Sequence, residues 1–132
     1  MRFTDQTAVV TGGTRGIGLA IACALAAEGA CVVAIGLETI ESAKGVEFIQ
    51  LDVTNTQALG ECLNGIGQIH HLVNAAGIIR RSDEFDRENF ARVLEVNLNA
   101  TQLCCTLCRR QMEAGSSIVN LGSLFSHLGA PH

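Results

Sequence analysis

The sequence predicts an α/β fold, a doubly wound parallel sheet of about five strands that forms part of a larger sheet. Three observations lead there. Short apolar runs recur along the chain, each apolar at consecutive positions and not merely at alternate ones, as strands buried on both faces must be. Between several of them lie stretches with apolar residues at helical spacing. A glycine cluster follows the first run directly. With 132 residues, 48% of them hydrophobic and 17% charged, the chain can bury one core and reads as a single domain.

Residues 7–11, Thr-Ala-Val-Val-Thr, form the first expected strand. The first helix follows from Ile17, Ile21, Ala24 and Leu25, and Gly29 supplies a left-handed stop. Residues 31–35 form the second strand, 46–51 the third, 69–73 the fourth and 117–121 the fifth. The connection between strands two and three is short and contains Gly45, so a loop with a helical turn is expected there in place of a full crossover helix. Asp86 can cap a long helix running to about Met112. Its expected apolar side carries Phe90, Val93, Leu94, Leu98, Thr101, Cys105, Leu107, Cys108 and Met112. His70 and His71 alternate in the fourth strand, so one of them faces inward and needs a hydrogen-bond partner. Right-handed crossovers then wind the helices onto both faces of the sheet.

The formal net charge of −4, with Arg80-Arg81 and Arg109-Arg110 as isolated basic pairs, excludes nucleic acid and acidic membrane surfaces as expected partners. The first residues show no charged-then-apolar leader and no apolar run reaches membrane-spanning length, so a cytoplasmic location is expected. Cysteines at 23, 31, 62, 104, 105 and 108 lack metal-ligand spacing with the histidines, and no metal site is expected. Cys104 and Cys108 share a helical face and are read as small packing residues in a reducing compartment.

The glycine cluster carries the chemistry. Thr11-Gly12-Gly13-Thr14-Arg15-Gly16-Ile17-Gly18 stands between a predicted strand and a predicted helix. A chain that must turn sharply and bring its backbone against a pyrophosphate needs glycine there. The helix N-terminus beyond offers unpaired N–H groups and the positive end of its dipole. In that context Gly12, Thr14, Arg15, Gly16, Ile17 and Gly18 are candidate dinucleotide-binding residues of a Rossmann-type domain.

The glycine spacing over 12, 16 and 18 resembles the Thr-Gly-x-x-x-Gly-x-Gly signature of the short-chain dehydrogenases/reductases. Asn74-Ala75-Ala76-Gly77, after strand four, resembles that family's Asn-Asn-Ala-Gly segment. Asn97 falls in the long helix where the family has an active-site asparagine, and Ser123 falls after strand five where it has a catalytic serine. The resemblance covers the whole chain. It implies an oxidoreductase that interconverts an alcohol and a ketone by hydride transfer to or from NAD(P), with a small-molecule alcohol or carbonyl substrate and a homodimeric or homotetrameric whole protein. Asn97 would hold a water in a proton relay, and Ser123 would bond the substrate oxygen. Asn74, Ala75, Ala76 and Gly77 would line the cofactor site, and Asp52 and Val53 would meet the adenine ring. Independently of the family, Asn97 lies on an apolar helical face, where a buried amide requires partners; backbone bonding alone would also account for it.

The end of strand two usually separates NAD from NADP, since an acid there accepts the ribose hydroxyls while arginines pair with the extra phosphate. The resemblance places Gly36 and Leu37 at that position, and neither is acidic or basic. Glu38 is near enough to substitute for the acid. Arg15 occurs where basic residues meet the NADP phosphate, though also in NAD users. The balance leans to NAD.

The family's proton-transferring tyrosine, with its lysine four residues on, would fall roughly four residues beyond His132. The chain contains no tyrosine, and Lys44 is its one lysine. It is therefore expected to be the N-terminal part of such an enzyme, able to bind cofactor and not to turn over. His127 and His132 are not expected to replace the missing acid. The alternatives are a non-catalytic nucleotide-binding or regulatory module and a decayed remnant; a methyltransferase-like domain lacks a reason for the later motifs. With the family's last strands absent, strand five is expected to be an uncovered sheet edge and the long helix to expose an apolar face.

Overall fold

A computed structural model describes residues 1–81, 83 and 85–128; His132 lies outside the described residues. Five strands form one parallel sheet in the order β3-β2-β1-β4-β5. They are β1 (Thr7–Thr11), β2 (Cys31–Gly36), β3 (Val46–Gln50), β4 (His71–Asn74) and β5 (Ser117–Asn120). The order reverses between β1 and β4, and this is the switch point at which a doubly wound sheet opens a crevice beyond its strand ends.

Alternation along β1 divides the core. Ala8 and Val10 face one layer with Ala22, Val32, Ala34 and Val73. Val9 faces the other with Ile35, Leu59, Leu63, Leu72, Val96, Ala100, Cys104 and Cys108. The first layer is covered by α1 (Gly16–Ala27), which buries Gly18 and Ala22 and leaves Ile17 exposed at 69%. The face expected from Ile17 and Ala24 is therefore rotated: the small residues pack so that helix and sheet approach closely. Gly29, at φ +99°, ends the helix as expected.

The second layer contains α2 (Thr56–Asn64), an element not among those expected from the sequence. Asn55 caps it by accepting from the Ala58 amide at 3.1 Å, and Leu59 and Leu63, one helical turn apart, are fully buried. The long helix begins where Asp86 predicts it, the Asp86 carboxylate accepting from the Glu88 and Asn89 amides. It is not one regular helix. α3 (Arg87–Leu94) leads into a π-helical turn (Glu95–Asn99), then α4 (Ala100–Cys108) and a 3₁₀ turn (Arg109–Gln111). The wider turn breaks the 3.6-residue register. As a result Val96, Ala100, Cys104 and Cys108 are buried, whereas Phe90, Leu94 and Leu98 of the expected apolar side are exposed. Burial pushes the Cys104 and Cys108 thiols up to about 12, which agrees with their reading as packing residues.

Residues 37–45 cross from β2 to β3 as a loop without the expected helical turn. β4 begins two residues later than expected, yet both histidines are satisfied. His70 Nδ1 accepts from the Thr7 amide at 3.0 Å, while the His71 ring nitrogens meet Ser117 Oγ at 2.8 Å and Gln6 Oε1 at 2.7 Å. No helix among the described residues is long and apolar enough to cross a membrane.

β5 stands at the sheet edge with all four residues exposed, and Leu121, Leu124, Phe125 and Leu128 beyond it are exposed too. Such a surface favours association over solution as a monomer. The 132-residue chain produced alone is expected to melt over a broad range and to self-associate as its concentration rises; a sharp cooperative melt of a monomer would contradict this. A second expectation concerns pH. Burial, then the neighbouring His70, hold the His71 pKa below its ordinary 6.5, so the unfolded chain binds the proton more readily. The contribution is complete above pH 6.5 and is lost as pH falls through that value to the lowered one. His71→Phe should flatten the fall in stability on mild acidification, measured by urea unfolding, and an unchanged slope would count against this assignment.

Candidate dinucleotide-binding site

The crevice at the switch point is a cleft of about 320 Å³. Its floor is the turn after β1. Gly12 has φ +66°, and a Cβ there would come within 2.7 Å of the Ala75 carbonyl and the Ala76 nitrogen. A side chain would thus force apart the two segments that meet at the switch point. At Gly18 a Cβ would overlap the Gly12 carbonyl, so the first turn of α1 rests directly on the loop. Gly16 differs from both. Nothing lies within 4 Å of its missing Cβ, and the space beside it opens to the cleft it helps line.

The helix ends differ in a way that bears on this space. Side chains cap α2 and α3, but α1, whose N-cap is Arg15, has no side-chain cap. The amides of its first turn therefore lack side-chain partners and belong to residues that border the cleft. An anion is the natural partner for such a helix end. The donor set and the open position at Gly16 fit the pyrophosphate of a dinucleotide.

Thr14 connects the loop to the end of β2. It is buried, its hydroxyl donates to the Glu38 carboxylate, and its side chain fills the space that a Cβ at Gly36 would need. The Arg15 Nε lies 3.2 Å from the other Glu38 oxygen. The Thr14 hydroxyl is the chief influence holding the Glu38 pKa below the usual carboxylate range, with a smaller effect from Arg15. Glu38 is thus ionised at neutral pH and points its bonds toward the glycine loop, where Gly36 and Leu37 also border the cleft.

At the end of β3, Asp52 accepts from the Thr54 amide at 2.9 Å and the Thr54 hydroxyl at 2.8 Å, and pairs with Arg92 Nη2 at 3.0 Å. The Thr54 amide is the largest cause of its lowered pKa. Asp52 and Val53 line the cleft, as do Ala75, Ala76 and Gly77. Asn74 does not. It is buried between strands, accepting from the Thr11 hydroxyl at 3.5 Å and donating to Asn120 Oδ1 at 2.8 Å, while the Thr11 oxygen accepts from the Ala76 amide at 3.3 Å. Its side chain ties three neighbouring strands below the cleft.

Asn97 is exposed, which corrects the expectation of a buried amide; the π-helical turn brings it out of the core face. Both ends of its amide are nonetheless bonded. Asn97 Oδ1 accepts from the Ile78 amide at 2.8 Å, and Nδ2 donates to the Ile78 carbonyl at 2.9 Å. The asparagine is therefore bonded to backbone and pins the segment that follows β4. Ser123 lies past the end of β5 and is exposed; its hydroxyl accepts from the Phe125 amide at 3.2 Å and caps a short 3₁₀ turn (Leu124–Ser126). Neither Asn97 nor Ser123 lines the cleft. The cleft does include Leu51, Ile78, Arg92, Val96 and Leu121, which the sequence reading did not single out. A polar signal existed for Arg92 alone, and nothing in the spacing linked it to Asp52.

Comparison with known proteins agrees with this architecture. Residues 6–132 match the family model described as short chain dehydrogenase. The chain is 34% identical over 148 residues to a 3beta-hydroxysteroid dehydrogenase of Mediterraneibacter gnavus, covering 98% of this chain and 54% of that protein. It is 32% identical to carbonyl reductase (NADPH) 2 of Sus scrofa, over 99% of this chain and 58% of that one. Among solved structures, the aldohexose dehydrogenase of Thermoplasma acidophilum superposes with a TM-score of 0.85 at 30% identity, covering 92% of this chain and 50% of that chain. The chain thus spans about half the length of the curated relatives it matches. From the glycine turn at the switch point to the family model that runs from residue 6 to residue 132, the chain belongs to the short-chain dehydrogenase family.

Proposed function

We propose that this chain is the cofactor-binding portion of an NAD(P)-dependent oxidoreductase that interconverts an alcohol and a ketone, and that its preferred cofactor is NAD. The observation that carries the reading is the uncapped start of α1 beside the open position at Gly16. The amides of Gly16, Ile17 and Gly18 would receive the pyrophosphate, with Gly12, Thr14 and Arg15 shaping the turn. Asp52 and Val53 would border the adenine, and Ala75, Ala76 and Gly77 the inner side of the site, with Asn74 holding the strands beneath them. The bound cofactor would supply or accept a hydride. In the whole protein, Ser123 would hydrogen-bond the substrate oxygen and Asn97 would order a water for proton relay. We further assign a small-molecule alcohol or carbonyl substrate, a cytoplasmic location and a homodimeric or homotetrameric assembly to the whole protein.

The preference for NAD rests on Glu38. Its ionised carboxylate borders the cleft beside Gly36 and Leu37, and Arg15 is already paired with it. Ribose hydroxyls can donate to such a carboxylate, whereas a phosphate on that ribose would meet like charge, with Arg15 already engaged by Glu38. Fluorescence titration is expected to give at least roughly tenfold tighter binding of NADH than NADPH, and Glu38→Gln should narrow that gap. Tighter binding of NADPH by the unaltered chain would overturn the NAD assignment. Binding of neither would overturn the cofactor reading. In the longer polypeptide with a Tyr-x-x-x-Lys sequence restored, carbonyl reduction is expected; cofactor binding without any carbonyl turnover would remove the oxidoreductase assignment.

A further inference from the structure

Two adjacent histidines tie β1, β4 and β5 together at the end of the sheet opposite the cleft. His70 stands just before β4 and meets Thr7 twice. Its amide donates to the Thr7 carbonyl at 2.9 Å, and its Nδ1 accepts from the Thr7 amide at 3.0 Å. The His70 carbonyl accepts from the Ser117 amide at 2.9 Å. The His71 ring joins the same neighbours, with Nε2 2.7 Å from Gln6 Oε1 and Nδ1 2.8 Å from Ser117 Oγ. Both histidines are half-buried, so solvent protons reach them.

The two rings respond differently to a proton. Gln6 Oε1 can only accept, so His71 Nε2 carries a hydrogen and Nδ1 accepts from the Ser117 hydroxyl. When His71 is protonated that hydroxyl can turn round and accept, and both bonds survive. At His70 the donor is a backbone N–H, which cannot turn round. An imidazolium keeps no lone pair at Nδ1, so the Thr7 amide then faces a second donor.

No acid stands ready to hold the added charge in place. Among the described residues neither ring forms an ion pair. On one side the His71 ring meets Phe3 edge-on, and Arg2 lies over Phe3 with Glu28 already bonded to it. On the other, residues 109–116 bond to Ile69 through Gln111 and Ser116 and carry Arg109, Arg110 and Glu113. The segment before β1 carries Asp5, and each histidine adds a like charge beside the other when both are protonated.

We propose that His70 is a pH-sensitive latch: neutral, it fastens the start of β1 to β4, and protonated, it releases the Thr7 amide and frays the sheet at Gln6 and Thr7. Farther along β1 the ladder is backbone to backbone and carries no such dependence. The latch lies at the opposite strand ends from the nucleotide cleft and stands whether or not that cleft binds a dinucleotide.

The test is hydrogen exchange at the Thr7 amide of the full chain, divided at each pH by the rate of an unprotected amide. Between about pH 7.5 and about pH 5.5, across the imidazole range, Thr7 protection is expected to fall roughly tenfold, the scale of one hydrogen bond, while Val9 protection holds. In His70→Asn, Oδ1 stands at the position of Nδ1 and takes up no proton, so protection is expected at both pH values. His71→Asn is expected to leave the fall at Thr7 in place. The ring nitrogen shifts of His70 in the unaltered chain are expected to change together with Thr7 protection, which decides the matter even where a variant fails to fold. Constant Thr7 protection, an equal fall at Val9, an equal fall in His70→Asn, or a fall at a pH where His70 is still neutral would each overturn the latch.

Discussion

The architecture of the site depends on one close approach, that of Gly12 to the peptide joining Ala75 and Ala76. β1 and β4 are neighbours in the sheet, yet the chain leaves them in different directions, to α1 and to the long helix. A crevice forms because the sheet order reverses there. How deep it is depends on how closely the two departing segments can meet. A glycine at left-handed φ permits contact between bare backbones, and the second contact, Gly18 on the Gly12 carbonyl, brings the helix end down onto the same turn. Small residues continue the theme beneath: Ala8, Ala22, Ala30 and Ala34 let α1 lie close to the sheet.

Polar side chains then fix what the backbone contact allows. Thr11, Asn74 and Asn120 form a line of side-chain bonds from β1 through β4 to β5. The Thr11 oxygen also accepts from the Ala76 amide, so the ladder reaches the rim of the cleft. Asn97 grips both polar groups of Ile78 from the π-helical turn. A buried amide such as that of Asn74 costs stability when unpaired, and the Thr11 and Asn97 side chains hold backbone that regular sheet hydrogen bonds do not reach. The segment from Asn74 to Ile78 is consequently held at both ends, by the strands below it and by the helix beside it.

Much of this was legible in the sequence because it is local. β1 matches its predicted span at both ends, since five apolar or β-branched residues run directly into glycine. Asp86 marks its helix start because a carboxylate that caps acts within three residues. Less was legible where the deciding contact is distant. The α3–α4 helix misled a periodic reading because the π-helical turn shifts the register between Leu94 and Ala100, so the buried series starts at Val96 and the stripe from Phe90 to Leu98 stays in solvent. α2 has only a short apolar series, Leu59 and Leu63, too short to stand out by periodicity. In the site, the glycine turn and Ala75–Gly77 were readable from motif and order. The Arg92–Asp52 pair was not, because forty positions separate the two residues and nothing local in either segment requires the other.

In the proposed function the cleft at the switch point receives the nucleotide, with the first turn of α1 as its anion-binding end. Amide chemical shifts of the isotopically labelled chain, followed as NADH is added, test this most directly. Saturable changes are expected at Gly12–Gly18, Glu38, Asp52–Val53 and Ala75–Gly77, with the largest at the Gly16, Ile17 and Gly18 amides. Changes confined to other surfaces, such as β5 or α2, or no saturable change at all, would contradict it.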